Sequence, residues 1–152
     1  MTNTITNEVK YAGLFRRLFA IIYDCFLLGA LLFIASALVT ALNHGKAVEP
    51  GTAIYPFFVL LLSGLSYLYF AWFWIHGGQT LGMKTWRIQL QLDAAEKNAD
   101  AGIGWKLCAI RFVSAIISWC VIGMGFLWAL FDKKKRCWHD LSTKTVLIDL
   151  RS

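Results

Sequence analysis

The sequence predicts an all-α integral membrane protein, a small polytopic helical bundle with two full spans, a third apolar segment and a small cytoplasmic β-ribbon. Three observations predict this fold class. Of the 152 residues, 58% are hydrophobic and only 16% are charged, with a mean hydropathy of +0.57. The apolar residues are grouped into stretches longer than the roughly 20 residues with which a helix crosses about 30 Å of hydrocarbon. The basic residues cluster beside these stretches, as they do in membrane proteins with cytoplasmic loops.

The two full spans are predicted in the first two apolar stretches. Leu18–Leu42 contains one formal charge, Asp24, and Ala53–Ile75 contains none. A core helix of a soluble protein rarely contains so long an apolar run, so both stretches are interpreted as membrane spans. The second ends in a Trp-Phe-Trp belt followed by two glycines at 77–78, which indicates an interfacial helix end.

The third apolar stretch is Leu107–Phe131, whose only charge is Arg111. The positive-inside rule places the N-terminal flank, the second connection and the basic tail at 133–136 in the cytoplasm. One straight span would carry the tail to the opposite side, and two spans need about 40 residues. We therefore predict a broken or re-entrant hairpin that turns near residues 123–125, with a plain third span as the alternative.

Two short segments outside the spans show the alternation of a half-buried strand. Apolar residues occupy positions 86, 88, 90 and 92 of the segment 84–92, and Val146, Ile148 and Leu150 alternate similarly in 145–150. Because an isolated strand is unstable, we predict that the two segments pair as a small ribbon at the membrane surface. Residues 11–150 then form one membrane domain, and residues 1–10 are expected to be a disordered tail.

Charges inside the spans are the candidate functional residues. Arg17 and Asp24 are seven residues apart, which places them on one face of a helix and about 10.5 Å apart along its axis. An ionised acid in hydrocarbon costs roughly 3 kcal/mol on insertion scales, so Asp24 must be protonated, paired or in contact with water. Arg111 opens the third segment and is the available partner. We predict that Asp24 approaches Arg111 or, failing that, Arg17.

Composition and motifs exclude several other classes of protein. The net charge of +6 would suggest nucleic acid in a soluble protein, but here the basic residues flank apolar runs and fit anionic lipid. The four cysteines form no CxxC pair, and Cys137 with His139 supplies too few ligands for a metal. No catalytic or nucleotide-binding signature is present, so we expect no enzyme activity, no cofactor and no nucleic-acid partner.

Three segments in order carry a resemblance to the RDD family of small bacterial membrane proteins, which is named for one arginine and two aspartates. The segments are the first-span pattern Arg17, Ala20 and Asp24, the Gly-Gln-Thr-Leu-Gly-Met-Lys sequence at 78–84, and the sequence from His139 to Val146. Met83 interrupts the Gly-Lys pair usual in the family. The resemblance covers residues 11–150.

The resemblance implies a multi-pass protein of the bacterial inner membrane with a suggested role in transport of unknown ligands. It also adds Asp140 to Arg17, Asp24 and Arg111 as a candidate site residue, although spacing alone indicates only a cap or turn at that position. Two functions stay open. The first is a transporter or transporter subunit with Asp24 as a proton or cation site; the second is a module that assists other membrane proteins without transport. In either case the partners expected are the lipid bilayer and further membrane proteins, including copies of this chain.

Overall fold

The computed structural model describes residues 10–93, 102–121 and 124–151. The predicted disordered tail, residues 1–10, lies outside this part of the chain except for Lys10. The backbone carbonyl of Lys10 accepts a hydrogen bond from the Asp149 amide at 2.7 Å.

Two long helices confirm the predicted spans. Helix α1 is Leu14–Leu42 and helix α2 is Tyr55–Ile75, and both are long and apolar enough to cross a membrane. Helix α1 begins four residues before the predicted apolar stretch and is about 43 Å long, so it extends beyond the hydrocarbon. Helix α2 starts with Pro56 in its first turn, where the missing amide hydrogen costs nothing.

The third apolar segment is broken, as predicted, and its described residues do not form one straight span. Residue 123, at the start of the predicted turn, lies outside the described residues. Helix α4, Trp105–Cys120, is followed by the short helix α5, Met124–Leu127, and a 3-10 turn, Trp128–Leu130. The two pieces are bent by 106° relative to each other. Gly125 allows α5 to fold back onto α4, because a Cβ there would lie 1.8 Å from Ser118 Oγ.

The predicted ribbon is also present. Strand β1, Ile88–Leu92, pairs antiparallel with strand β2, Thr145–Asp149, with Leu90 opposite Leu147. The strand prediction from residue 84 started too early, because 81–85 form the short helix α3, Leu81–Thr85. Arg87, with a φ of 51°, makes the left-handed turn that separates α3 from β1.

The ribbon gathers the polar ends of the chain at one end of the helices. The Ala12 amide donates to the Leu147 carbonyl at 2.9 Å, and Arg16 forms an ion pair of 2.9 Å with Asp149. The short helix α6, Trp138–Thr143, leads directly into β2 and packs against α4. The N-terminal flank, the second connection and the tail therefore lie together, as the distribution of basic residues predicts.

Burial in the helices is inverted relative to a soluble bundle. The buried residues of α1 are Arg17, Ala20 and Asp24, which lie along one helix face. Its large apolar side chains, such as Phe26 and Phe33, are exposed and suited to lipid contact. The predicted shared face of Arg17 and Asp24 is thus confirmed, and it is the face that points into the protein.

Candidate functional site

A cavity of about 280 Å³, here called the inner cavity, lies among α1, α2 and α4 and is closed at one end by α6 and the ribbon. Its wall is mostly apolar, with Phe112 and Phe126 among its lining residues. Three charged residues, Arg17, Asp24 and Arg111, also line it. The structure therefore brings three of the four predicted site residues to one cavity, and the fourth, Asp140, lies directly behind it.

Asp140 is the acceptor for both arginines, and the three residues are called the Arg–Asp–Arg cluster. Arg17 Nη1 forms a short ion pair with Asp140 Oδ2, and Arg111 Nη2 lies 2.7 Å from Asp140 Oδ1. All three residues are at most 3% exposed. The cluster joins α1, α4 and α6, so a single carboxylate holds three elements together.

Local structure in α6 aims the Asp140 carboxylate. Cys137 caps this helix, and its backbone amide donates to Asp140 Oδ2 at 2.9 Å. The prediction that Asp140 takes part in a helix cap is therefore confirmed, but spacing did not predict its contacts with the two arginines. Burial opposes ionisation of Asp140, but Arg111 and Arg17 outweigh it and hold the pKa of the carboxyl below its usual value.

Arg111 has further contacts that fix its orientation. Its Nη1 donates to Thr145 Oγ1 at 2.7 Å, and its guanidinium carbon lies 5.2 Å from the centroid of the Trp74 ring. Arg17 is held by a hydrogen bond of 3.2 Å from its Nε to the Ala12 carbonyl. Arg111 is therefore fixed by residues of α2, α6 and β2, and Arg17 by α6 and by the segment before α1.

Asp24 is bound by neutral donors, here called the Asp24 donor set. The Gly82 amide donates to Asp24 Oδ1 at 2.9 Å, and the Tyr69 hydroxyl donates to the same oxygen at 3.1 Å. The Thr80 hydroxyl donates a short hydrogen bond to Oδ2. Thr80 also accepts from the Met83 amide at 3.2 Å and so caps α3.

Close approach of α3 to α1 creates this arrangement, and Gly82 makes the approach feasible. A Cβ at Gly82 would lie 2.1 Å from the Ala20 carbonyl oxygen and 3.0 Å from Asp24 Cγ. The Gly-Gln-Thr-Leu-Gly segment noted in the sequence thus forms the turn that binds the first-span aspartate. A threonine and a glycine follow shortly after the second span, and the first span carries an acid. These residues are the signal that could have predicted the contacts with Asp24.

The prediction that Asp24 approaches Arg111 or Arg17 is wrong. Among the described residues no ion pair of Asp24 is present, and both arginines contact Asp140 instead. The physical reason is the axial offset on α1, because seven residues separate Arg17 and Asp24 by about 10.5 Å. Helix α6 reaches the level of Arg17, and the start of α3 reaches the level of Asp24.

Three potential metal ligands meet beside the cluster. Ligand atoms of Cys137, His139 and Asp140 lie within 4.8 Å of one another. Burial raises the pKa of the Cys137 thiol to about 11, which disfavours the thiolate that a metal requires. Arg17 and Arg111 also occupy the Asp140 carboxylate and would repel a cation, so this donor set does not favour a metal.

Comparison with known proteins identifies one family. The model of the RDD family matches residues 11–144, which is nearly the whole chain. No curated protein and no solved structure shows a significant match.

Proposed function

This chain belongs to the RDD family, and from that premise we propose that it takes part in the transport of a small solute or ion, with Asp24 as a proton or cation site. We place it in the bacterial inner membrane with its N-terminus in the cytoplasm. The observation that carries the proposal is the buried Asp24 carboxylate on the wall of the inner cavity, with no cation paired to it among the described residues.

The contacts of Asp24 suit a group that changes its protonation state. A hydroxyl is both a donor and an acceptor, so Thr80 and Tyr69 can donate to the carboxylate or accept from the carboxylic acid. A guanidinium only donates and would favour the anion alone. Intramembrane acids with such surroundings often belong to ion or proton pathways.

The orientation rests on the positive-inside rule. The N-terminal flank, the second connection and the tail carry most of the basic residues and share one end of the helices. Segments rich in lysine and arginine are retained in the cytoplasm. We therefore assign this end, with the ribbon, to the cytoplasmic side.

The size of the bundle implies that other chains participate. The described residues form two helices long enough to span a membrane and one bent pair, which are too few to enclose a path across it on their own. A second copy of this chain or another membrane protein would supply the missing walls. The proposed activity involves no catalysis, no cofactor and no nucleic acid.

A flux assay in proteoliposomes tests the proposal. Wild-type protein is compared with Asp24→Asn and with Glu49→Gln, a control that removes an exposed acid from the loop between α1 and α2. We expect flux of protons or monovalent cations with the wild type and the control, and little or none with Asp24→Asn. Wild-type flux equal to that of empty liposomes would rule out that the protein transports these ions on its own.

A second candidate is a non-transporting module that assists other membrane proteins. The Arg–Asp–Arg cluster favours it, because an ion-paired carboxylate that joins three elements serves rigidity and not movement. Co-purification of the same membrane partner by wild type and Asp24→Asn, without flux in either, supports this candidate.

A further inference from the structure

We propose that the inner cavity binds a single-chain carboxylate amphiphile, whose headgroup contacts Arg17 and Arg111 and whose chain lies along the apolar wall. This names a substrate class for the proposed transporter and so rests on the proposed function. The inference combines three features of the cavity: free donors, an excess of positive charge beside them, and an apolar wall that is partly exposed.

The free donors belong to the two arginines of the cluster. Within the described residues, Arg17 Nη2 and Arg111 Nε are buried and have no hydrogen-bond partner. Both side chains line the inner cavity and are only 3% exposed. Buried donors are normally satisfied, so two unsatisfied N–H groups at one cavity indicate an acceptor that binds there. The two oxygens of a carboxylate can accept from two separate donors.

The charges beside these donors favour an anion. Two guanidinium groups face one carboxylate, that of Asp140, which leaves one positive charge in excess. His139 adds none, because burial lowers the pKa of its imidazole to about 3. Asp24, farther along the cavity, is the remaining charged residue of the wall. With all four groups ionised the sum is zero, so an entering carboxylate adds a negative charge that a proton on Asp24 would balance.

The rest of the wall suits an acyl chain. It includes Leu28, Phe112, Ile116 and Trp119, and two of these, Ile116 and Trp119, are about half exposed to the surroundings of the bundle. Helix α1 packs against α2 and α3, whereas α4 packs against α2, α5 and α6. Because Ile116 and Trp119 line the cavity and are also exposed, a lipid chain can enter beside these two side chains of α4.

The volume limits what fits. Ligand pockets for whole small molecules measure roughly 300–1,000 Å³. A cavity of about 280 Å³ accepts a headgroup and part of one chain, but not a diacyl lipid. A single-chain carboxylate is small enough for this volume, and its two oxygens match the two free donors.

Binding can be measured through the tryptophans of the wall, Trp74 and Trp119. Purified protein in neutral detergent is titrated with dibrominated stearate, whose bromine atoms quench tryptophan, and with its uncharged methyl ester. Tryptophans exposed to the micelle respond equally to both compounds. We expect the acid to quench an additional fraction, at a mole fraction about tenfold lower than the ester, because charge-assisted hydrogen bonds bind only the acid.

Two pairs of variants locate the site. Ala115→Phe places a ring into the cavity without touching a charge and should abolish the acid-specific quenching, whereas Ile117→Phe, on the exposed side of α4, should retain it. Arg111→Lys keeps the charge opposite Asp140 but removes the free Nε, and should weaken binding about tenfold. Arg87→Lys, outside the cavity, serves as its control.

Equal quenching by acid and ester would overturn the inference, as would unchanged acid-specific quenching in Ala115→Phe. Displacement of the acid by lysophosphatidate at a lower mole fraction would overturn the assignment of a carboxylate. These results are independent of the flux assay. Specific binding without flux would refute the transport proposal and leave the binding proposal standing. Proton or cation flux without specific binding would refute the binding proposal and leave the transport proposal standing.

Discussion

Asp24 and Asp140 are both almost fully buried, yet their surroundings differ in kind. Asp140 is bound by two guanidinium groups and a backbone amide, whereas Asp24 is bound by two hydroxyls and a backbone amide. Two fixed cations favour only the anion. Hydroxyls adapt to the anion and to the acid alike. The comparison separates a carboxylate that holds the fold from one that is able to exchange a proton.

The largest expected effect comes from removing the Asp140 charge. Asp140→Asn leaves two buried arginines without a counterion, which should cost about 3–5 kcal/mol of unfolding free energy. Chemical unfolding in detergent measures the loss. Glu49→Gln, in an exposed loop, should stay within about 0.5 kcal/mol of wild type. A loss as small as that of the control would show that the cluster does not hold the fold.

The second prediction concerns acid stability near the cluster. Burial lowers the pKa of His139 from 6.5 to about 3, so between these values the unfolded chain binds a proton that the folded chain does not. Stability is therefore lost as pH falls through this range, by at most about 1.4 kcal/mol per pH unit from this group. His139→Asn should flatten the profile between pH 6.5 and 4, measured by unfolding at each pH. His76→Asn, at the exposed end of α2, should leave the slope unchanged, and a flattened slope there would contradict the assignment.

The third prediction breaks the Asp24 donor set without touching a charge. Gly82→Ala places a Cβ against the Ala20 carbonyl and forces α3 away from α1, which should cost about 1–3 kcal/mol. Thermal unfolding in detergent measures it. Gly77→Ala, where a Cβ meets nothing within 4 Å, is the matched control. Equal losses in both variants would mean that the contact between α1 and α3 contributes little.

The smallest effect on stability is expected for Asp24→Asn. The amide keeps an acceptor for Gly82 and Tyr69, so the loss should stay below about 1.5 kcal/mol. The same unfolding assay compares it directly with Asp140→Asn. The two aspartates have different roles only if Asp24→Asn is well tolerated; equal losses would contradict the distinction.

Much of the fold could be predicted from the sequence, because it depends on local patterns. Apolar run length gave the spans, period-two alternation gave the ribbon, and the basic tail required a broken third segment. Lys84 and Thr85 show the limit of such patterns. The predicted strand included both residues, but Thr80 caps a helix by accepting a hydrogen bond from the Met83 amide, so 81–85 are helical.

The four charged residues could be named in advance, but the contacts that each of them makes could not. Arg17 and Asp24 follow from the position of charges in an apolar helix, and Arg111 from the same rule. Asp140 came only from the family resemblance, since its spacing indicates a cap. Thr80, Gly82 and Tyr69 were not assigned to Asp24, because polar contacts between distant segments leave no periodic signal in the chain.

The sequence by itself determined that apolar helices enclose a few charges, since a charge within a span must face inward or find a partner whatever the details of packing. Only the tertiary structure decided which partner each charge has. Arg17 and Asp24 share one helix face, but about 10.5 Å along the axis separates them, and different elements reach the two levels. Helix α6 supplies an acid to the arginine, and the turn before α3 supplies neutral donors to the aspartate.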